Sequence, residues 1–157
     1  MSDRLNTYLL AIQNEIKSQN LYRSLAKSFA AAPEINTVLK SLVPMEQMHE
    51  EKLREACKKE FPDSRIFIDS EIYFQIKPED LSDPVKVLRF AIDREIDAAK
   101  EYSQMALSAS EPETAQLLRQ LATEEEHHKT VLEMEILQMD GLLTWYDPSE
   151  LTGLQED

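Results

Sequence analysis

The chain repeats itself at a distance of eighty residues, and the repeat sets acids at positions where a helix would bury them. Ala11-Ile12-Gln13-Asn14-Glu15-Ile16, continuing through Tyr22 and Ala26, returns as Ala91-Ile92-Asp93-Arg94-Glu95-Ile96 with Tyr102 and Ala106, identical at 6 of 16 positions. Each copy is followed by a Glu-x-x-His. Glu46-Gln47-Met48-His49 begins 31 residues after Glu15, and Glu125-Glu126-His127-His128 begins 30 residues after Glu95. Two matching halves with this spacing have the signature of a metal site.

Four long helical stretches separate at their punctuation. The first runs from Ser2-Asp3, where either side chain can cap free amides, to about Ala31 before Pro33. Leu5, Tyr8, Ile12, Glu15, Gln19, Tyr22, Ala26 and Phe29 recur at steps of three and four and form one inward seam. The second spans about Pro33 to Glu60, with Leu39, Leu42, Glu46, His49 and Leu53 inward and Pro44 expected to bend it. The third follows the cap Ser82-Asp83-Pro84 and reaches about Ser110, with Val85, Leu88, Ile92, Glu95, Ala99, Tyr102 and Ala106 inward. The fourth opens near Glu111-Pro112 and closes at Asp140-Gly141, with Leu118, Leu121, Glu125, His128 and Leu132 inward.

The expected fold is therefore all-α, an antiparallel four-helix bundle occupying residues 1–141. The connection of about residues 61–83 is too long for a hairpin and suits a crossover along the bundle. Ile66-Phe67-Ile68 and Ile72-Tyr73-Phe74-Gln75-Ile76 make it apolar enough to dock on its own bundle, the favoured reading, or on a second subunit. Residues 142–157, with Trp145 and Tyr146, form a C-terminal tail read only as packing.

The chemistry follows from the faces. A Glu and a His three residues apart reach one inward point, and a Glu from each of the two other helices completes a set of four carboxylates and two imidazoles. Glu15, Glu46, Glu95 and Glu125 on apolar seams would each cost several kcal/mol unpaired, so they call for cations. Four negative charges balance two divalent ions. Oxygen-rich ligation with one nitrogen per ion suits iron or manganese better than a closed zinc site. The competing account is a bundle whose inward polar residues form a hydrogen-bonded network, but it leaves the matching placement in both halves unexplained.

A second register is open, because Glu124 and His127 have the same spacing. Glu125 and His128 are preferred, since Leu121, Glu125, His128 and Leu132 repeat the steps of Leu42, Glu46, His49 and Leu53. His127 then faces solvent or lies outside the ligands. Tyr22 and Tyr102, two turns beyond Glu15 and Glu95, either reach the ligand carboxylates across the bundle or serve as core tyrosines.

Charge and composition narrow the partners. With 30 acidic against 17 basic residues, a net charge of -13 argues against nucleic acid and anionic membrane surfaces. The single cysteine, Cys57, leaves no intrachain disulfide. Charges at Asp3, Arg4, Glu15, Lys17 and Arg23 interrupt any apolar signal core, so a cytoplasmic location is expected.

In helix order, crossover and ligand spacing, nearly all of residues 1–141 resembles the ferritin-like superfamily and, within it, the rubrerythrin-like proteins. The resemblance implies a carboxylate-bridged di-iron centre with Glu15 and Glu95 terminal, Glu46 and Glu125 bridging, and His49 and His128 on one iron each. Manganese is an alternative metal, and zinc a replacement in isolated protein. It implies an oxidoreductase that reacts diferrous iron with hydrogen peroxide or dioxygen, or else an iron-oxidising, delivery or storage protein. A non-catalytic interaction bundle is the remaining alternative. The resemblance also implies a homodimer. Two features depart from the family. Full rubrerythrins add paired Cys-x-x-Cys motifs, so here the electron donor is expected to be external, for example a rubredoxin-like protein. Rubrerythrins also carry an extra carboxylate one turn after the third-helix ligand, where this chain has Ala98, and Asp97 faces away.

Overall fold

Two short connections and one long one dictate the topology. Residues 29–32 link α1 (Asp3–Ser28) to α2 (Pro33–Glu60), and residues 109–111 link α4 (Pro84–Ser108) to α5 (Pro112–Met139), so each half closes as an antiparallel helical hairpin. The structure, a computed structural model, describes residues 3–139. Its described residues are helical apart from turns and extended connections, and they form an all-α bundle of four long helices. The end of the last helix at Asp140-Gly141 and the tail with Trp145 and Tyr146 lie outside the described residues.

The boundaries follow local chemistry. Asp83 caps α4 by accepting from the Val85 amide at 3.0 Å, with Pro84 in the first turn where its missing N–H costs nothing. α1 ends at Ser28 and not near Ala31, because the chain turns there: Ala30 N–H donates to Lys27 O and Ala32 N–H to Phe29 O. Pro44 sits within α2, and the helix continues through it. The bidentate pair of Arg4 with Glu60, at 2.5 and 2.9 Å, ties the start of α1 to the end of α2.

The crossover contains one element that the sequence did not announce, the single turn α3 (Pro78–Leu81). The rest is extended, with half-buried Ile66, Ile68, Ile72, Phe74 and Ile76 interleaved with exposed Phe67, Tyr73 and Gln75. Asn20 fastens it to α1 by donating to the carbonyls of Ser70 at 2.9 Å and Ile72 at 2.8 Å. The crossover thus docks on its own bundle.

That docking also shows its course, because the core is divided in two. One apolar cluster gathers Tyr8, Ile12, Leu53, Cys57, Tyr102, Leu118 and Leu121, and Ile66, Ile68 and Ile72 pack against it. The other gathers Leu21, Leu25, Leu39, Leu42, Leu88, Leu132 and Ile136, and Phe74 and Ile76 pack there. On α2, α4 and α5 the charged inward residues fall between the two clusters, and on α1 Glu15 lies at the inner edge of the first, just before Ile16. The fold therefore places a polar layer at mid-bundle, sealed by apolar side chains above and below.

Candidate metal centre

The polar layer is built from i, i+3 pairs on α2 and α5 and single acids on α1 and α4. Glu15, Glu46, His49, Glu95, Glu125 and His128 are each no more than 2% exposed. Two sets of four ligand atoms form among them: Glu15, Glu46, His49 and Glu125, and Glu46, Glu95, Glu125 and His128, with all atoms of a set within 4.8 Å of one another. Glu46 and Glu125 belong to both sets. The His49 and His128 rings lie side by side and nearly parallel, centroids 5.6 Å apart and 14° between planes.

Hydrogen bonding leaves the inner atoms unsatisfied. Glu15 Oε2, Glu46 Oε1, Glu95 Oε2, Glu125 Oε2 and His128 Nδ1 are buried without a hydrogen-bond partner. Glu46 Oε1 and His128 Nδ1 approach to 2.7 Å, yet they are not aligned to bond. Buried polar atoms are normally paired, so five orphans converging on one layer mark a place for cations. The donor set fits: four carboxylates match two divalent charges, and oxygen-rich ligation with one imidazole per set suits iron or manganese.

The electrostatics agree. Burial, with the carboxylates of Glu15, Glu95 and Glu125 around it, pushes the Glu46 carboxyl well above the usual range. Burial and the charges of Glu15 and Glu95 do the same to Glu125. Burial also works against Glu15, but hydrogen bonds with Glu46 and His49 outweigh it and hold that carboxyl below its ordinary value. For the imidazoles burial disfavours charge, but the carboxylates prevail and raise His49 to about 9 and His128 to about 12. Without cations, protons must take their place.

The neighbours bind the layer together. Tyr22 of α1 donates to Glu95 of α4, and Tyr102 of α4 donates to Glu15 of α1, so each hydroxyl crosses from one half to the other. Both hydroxyls are buried beside carboxylates and stay protonated far above their ordinary value. His127 is exposed, whereas His128 faces the layer. Sequence reasoning weighed Glu124 only as an alternative ligand and missed its pairing with His49, whose Nε2 lies 2.6 Å from Glu124 Oε2. A signal was there: one residue before Glu125 is about 100° around the helix, at the edge of the inward face. It also missed the chain in which Gln19 donates to Glu50 at 2.8 Å and Arg54 to Glu50 at 2.8 Å.

Comparison with known proteins places these features in a family. Among solved structures the chain is similar to a hypothetical protein from Pyrococcus furiosus, at 25% identity and TM-score 0.75, covering 91% of this chain and 92% of that one. It is also similar to an uncharacterized conserved protein from Magnetospirillum magnetotacticum MS-1, at 23% identity and TM-score 0.63 over 84% and 92%. A ferritin-like, diiron-carboxylate protein from Bacillus anthracis str. Ames shares the fold at 17% identity and TM-score 0.58 over 85% and 98%. No curated protein matches the chain significantly. The rubrerythrin family model matches residues 8–136, a span that takes in both halves and all six residues of the polar layer, and the chain belongs to the rubrerythrin family.

Proposed function

We propose that this protein is a di-iron oxidoreductase that reduces hydrogen peroxide or dioxygen with electrons from an external donor. The observation that carries the reading is the pair of buried donor sets sharing Glu46 and Glu125. Glu15 and His49 would complete the hold on one ion and Glu95 and His128 on the other, with Glu46 and Glu125 between them. When bound, iron supplies the redox chemistry, passing two electrons to the oxidant and recovering them from the donor. Manganese shares the ligand preference, and zinc could replace either in isolated protein.

The chain's own residues do the rest. The apolar clusters on either side shield the layer from water. Tyr22 and Tyr102 hold the outer carboxylates of Glu95 and Glu15 in place. At the position one turn past Glu95, Ala98 packs against an apolar cluster, and Asp97 is 57% exposed and paired with Arg94 at 2.5 Å. Neither supplies a further carboxylate, so the six ligands would act as a fixed set. These 157 residues contain one cysteine, Cys57, which is buried, so the reductant is a separate centre.

The test is an anaerobic titration of metal-free protein with ferrous iron, followed by mixing with peroxide or dioxygen. Two tightly bound ions per chain, lost in His128→Ala, with peroxide or dioxygen consumed repeatedly in the presence of a donor, is the expected result. Fast reaction with dioxygen and release of ferric iron without a donor would move the reading to iron oxidation and storage. No tight binding would overturn it.

A further inference from the structure

The two ion positions are related by the repeat, and Glu124 breaks the equivalence of their imidazoles. Glu125 and His128 lie 79 residues after Glu46 and His49, and the same offset carries Glu124 back onto Met45. Glu124 Oε2 sits 2.6 Å from His49 Nε2, on the ring edge opposite the Nδ1 that faces the polar layer. Hydrogen bonding with the His49 imidazole outweighs partial burial and keeps the Glu124 carboxyl below its ordinary value. For His128, the half-buried Met45 offers only a thioether at the equivalent place.

Two other departures from the repeat bond neither imidazole: Gln19, where the second half has Ala99, donates to Glu50, and Glu101, where the first half has Leu21, lies in the field of Glu15. Tyr102 on Glu15 and Tyr22 on Glu95 are equivalents and act alike. Glu50 and Lys129, which follow His49 and His128, differ in sign, but Arg54 offsets the first and Glu133 the second. What remains is a carboxylate behind one imidazole and none at the matching place behind the other. Such a carboxylate accepts the distal ring N–H, fixes the tautomer and orientation, and raises the basicity of the ligating nitrogen.

We propose that Glu124 is a positioning residue that makes the centre unequal, so that the first ion binds at Glu15, Glu46, His49 and Glu125 and the second at Glu46, Glu95, Glu125 and His128. This rests on the metal-centre reading above. Loss of such a hydrogen-bonded partner typically weakens a metal site by about 10–100-fold. A partly loaded chain then carries its ion at the His49 position, and the His128 position is the one that empties first.

The test titrates metal-free protein with cobalt(II), following the visible spectrum, in the parent, Glu124→Gln and Met45→Glu. The parent should bind two ions in separate steps. Glu124→Gln should weaken one step by about 10–100-fold and leave the other in place. Adding Glu124→Gln to His49→Ala should have no further effect, a coupling that a general structural role would not produce. Met45→Glu should tighten the weaker step, giving a gain that misfolding cannot mimic. Two equal steps in the parent, or equal weakening of both steps by Glu124→Gln, would overturn the inference and leave the metal centre standing. Failure of the parent to bind two ions would overturn the metal-centre reading itself, and this inference with it.

Discussion

Replacing Glu46 by Met should move the stability of the metal-free and metal-loaded protein in opposite directions. Glu46 is 1% exposed, surrounded by three other carboxylates, and its Oε1 has no hydrogen-bond partner. An unsatisfied buried polar group costs about 1–3 kcal/mol, and Met fills a similar unbranched shape without polar oxygens. His128 keeps Glu125 at 3.5 Å and Glu95 at 3.7 Å, and Glu15, which loses its hydrogen bond with Glu46, keeps His49 and Tyr102, so neither charge is stranded by the change. For a chain of this size each kcal/mol shifts Tm by roughly 2–4 °C, so metal-free Glu46→Met should melt about 2–12 °C above the metal-free parent. The parent, by contrast, should gain about 2.7 kcal/mol when free metal is at a hundredfold its dissociation constant, and the variant much less. Calorimetric melts with chelator and with manganese(II) or anaerobic ferrous iron measure both arms. A metal-free variant that melts below its parent would refute the reasoning. The carboxylate would then be satisfied by its neighbours, and the layer would be a hydrogen-bonded network rather than a site held open for cations.

Proton linkage gives a second expectation. His49, His128, Glu46 and Glu125 all bind protons more tightly folded than unfolded, so the stability they lend is full below their unfolded values and lost as pH rises through the folded ones. Tm of the metal-free protein should fall from about pH 6.5 towards 9, where His49 discharges, while metal affinity rises over the same range because fewer protons must be displaced. A metal-free protein that gains stability with pH would contradict this. Tyr22→Phe and Tyr102→Phe should each weaken metal binding by about 10–100-fold, and to similar extents, because each removes the one hydroxyl donated to an outer carboxylate. Unchanged affinities in an equilibrium titration would reduce both to core tyrosines.

Much of this fold is legible in the sequence because each long helix buries one stripe. Steps of three and four set Leu39, Leu42, Leu53, Leu88, Leu118, Leu121 and Leu132 inward, and the structure buries all seven. The same steps put the acids and imidazoles among them. α3 left no trace, since four residues cannot display a period. The length of the crossover and its apolar runs pointed to docking on its own bundle, but alternation in Ile66-Phe67-Ile68 does not say which cluster receives it. Within the layer, spacing along a helix fixes which residues face inward, whereas contacts between helices decide which residue meets which. The exchange of Tyr22 and Tyr102 between halves is of the second kind. So is Glu124, which stands in the run Glu124-Glu125-Glu126 and looks like an alternative ligand until α5 is set beside α2.

The division of the core explains how such a layer is tolerated. Leu39, Leu53, Leu88, Leu118, Leu121 and Leu132 are 0% exposed, and each contributes about 1.5–3 kcal/mol by burial. They are shared between the two ends, three in each cluster. Each orphaned atom between them costs a comparable amount, and the other buried residues of both clusters add to the leucines. Every long helix spans both clusters, so the layer cannot open without separating one of them. The unpartnered atoms are therefore kept close by the apolar ends. That is the arrangement a metal site needs: the fold holds the ligands together in advance, with protons on Glu46, Glu125, His49 and His128 that arriving cations displace.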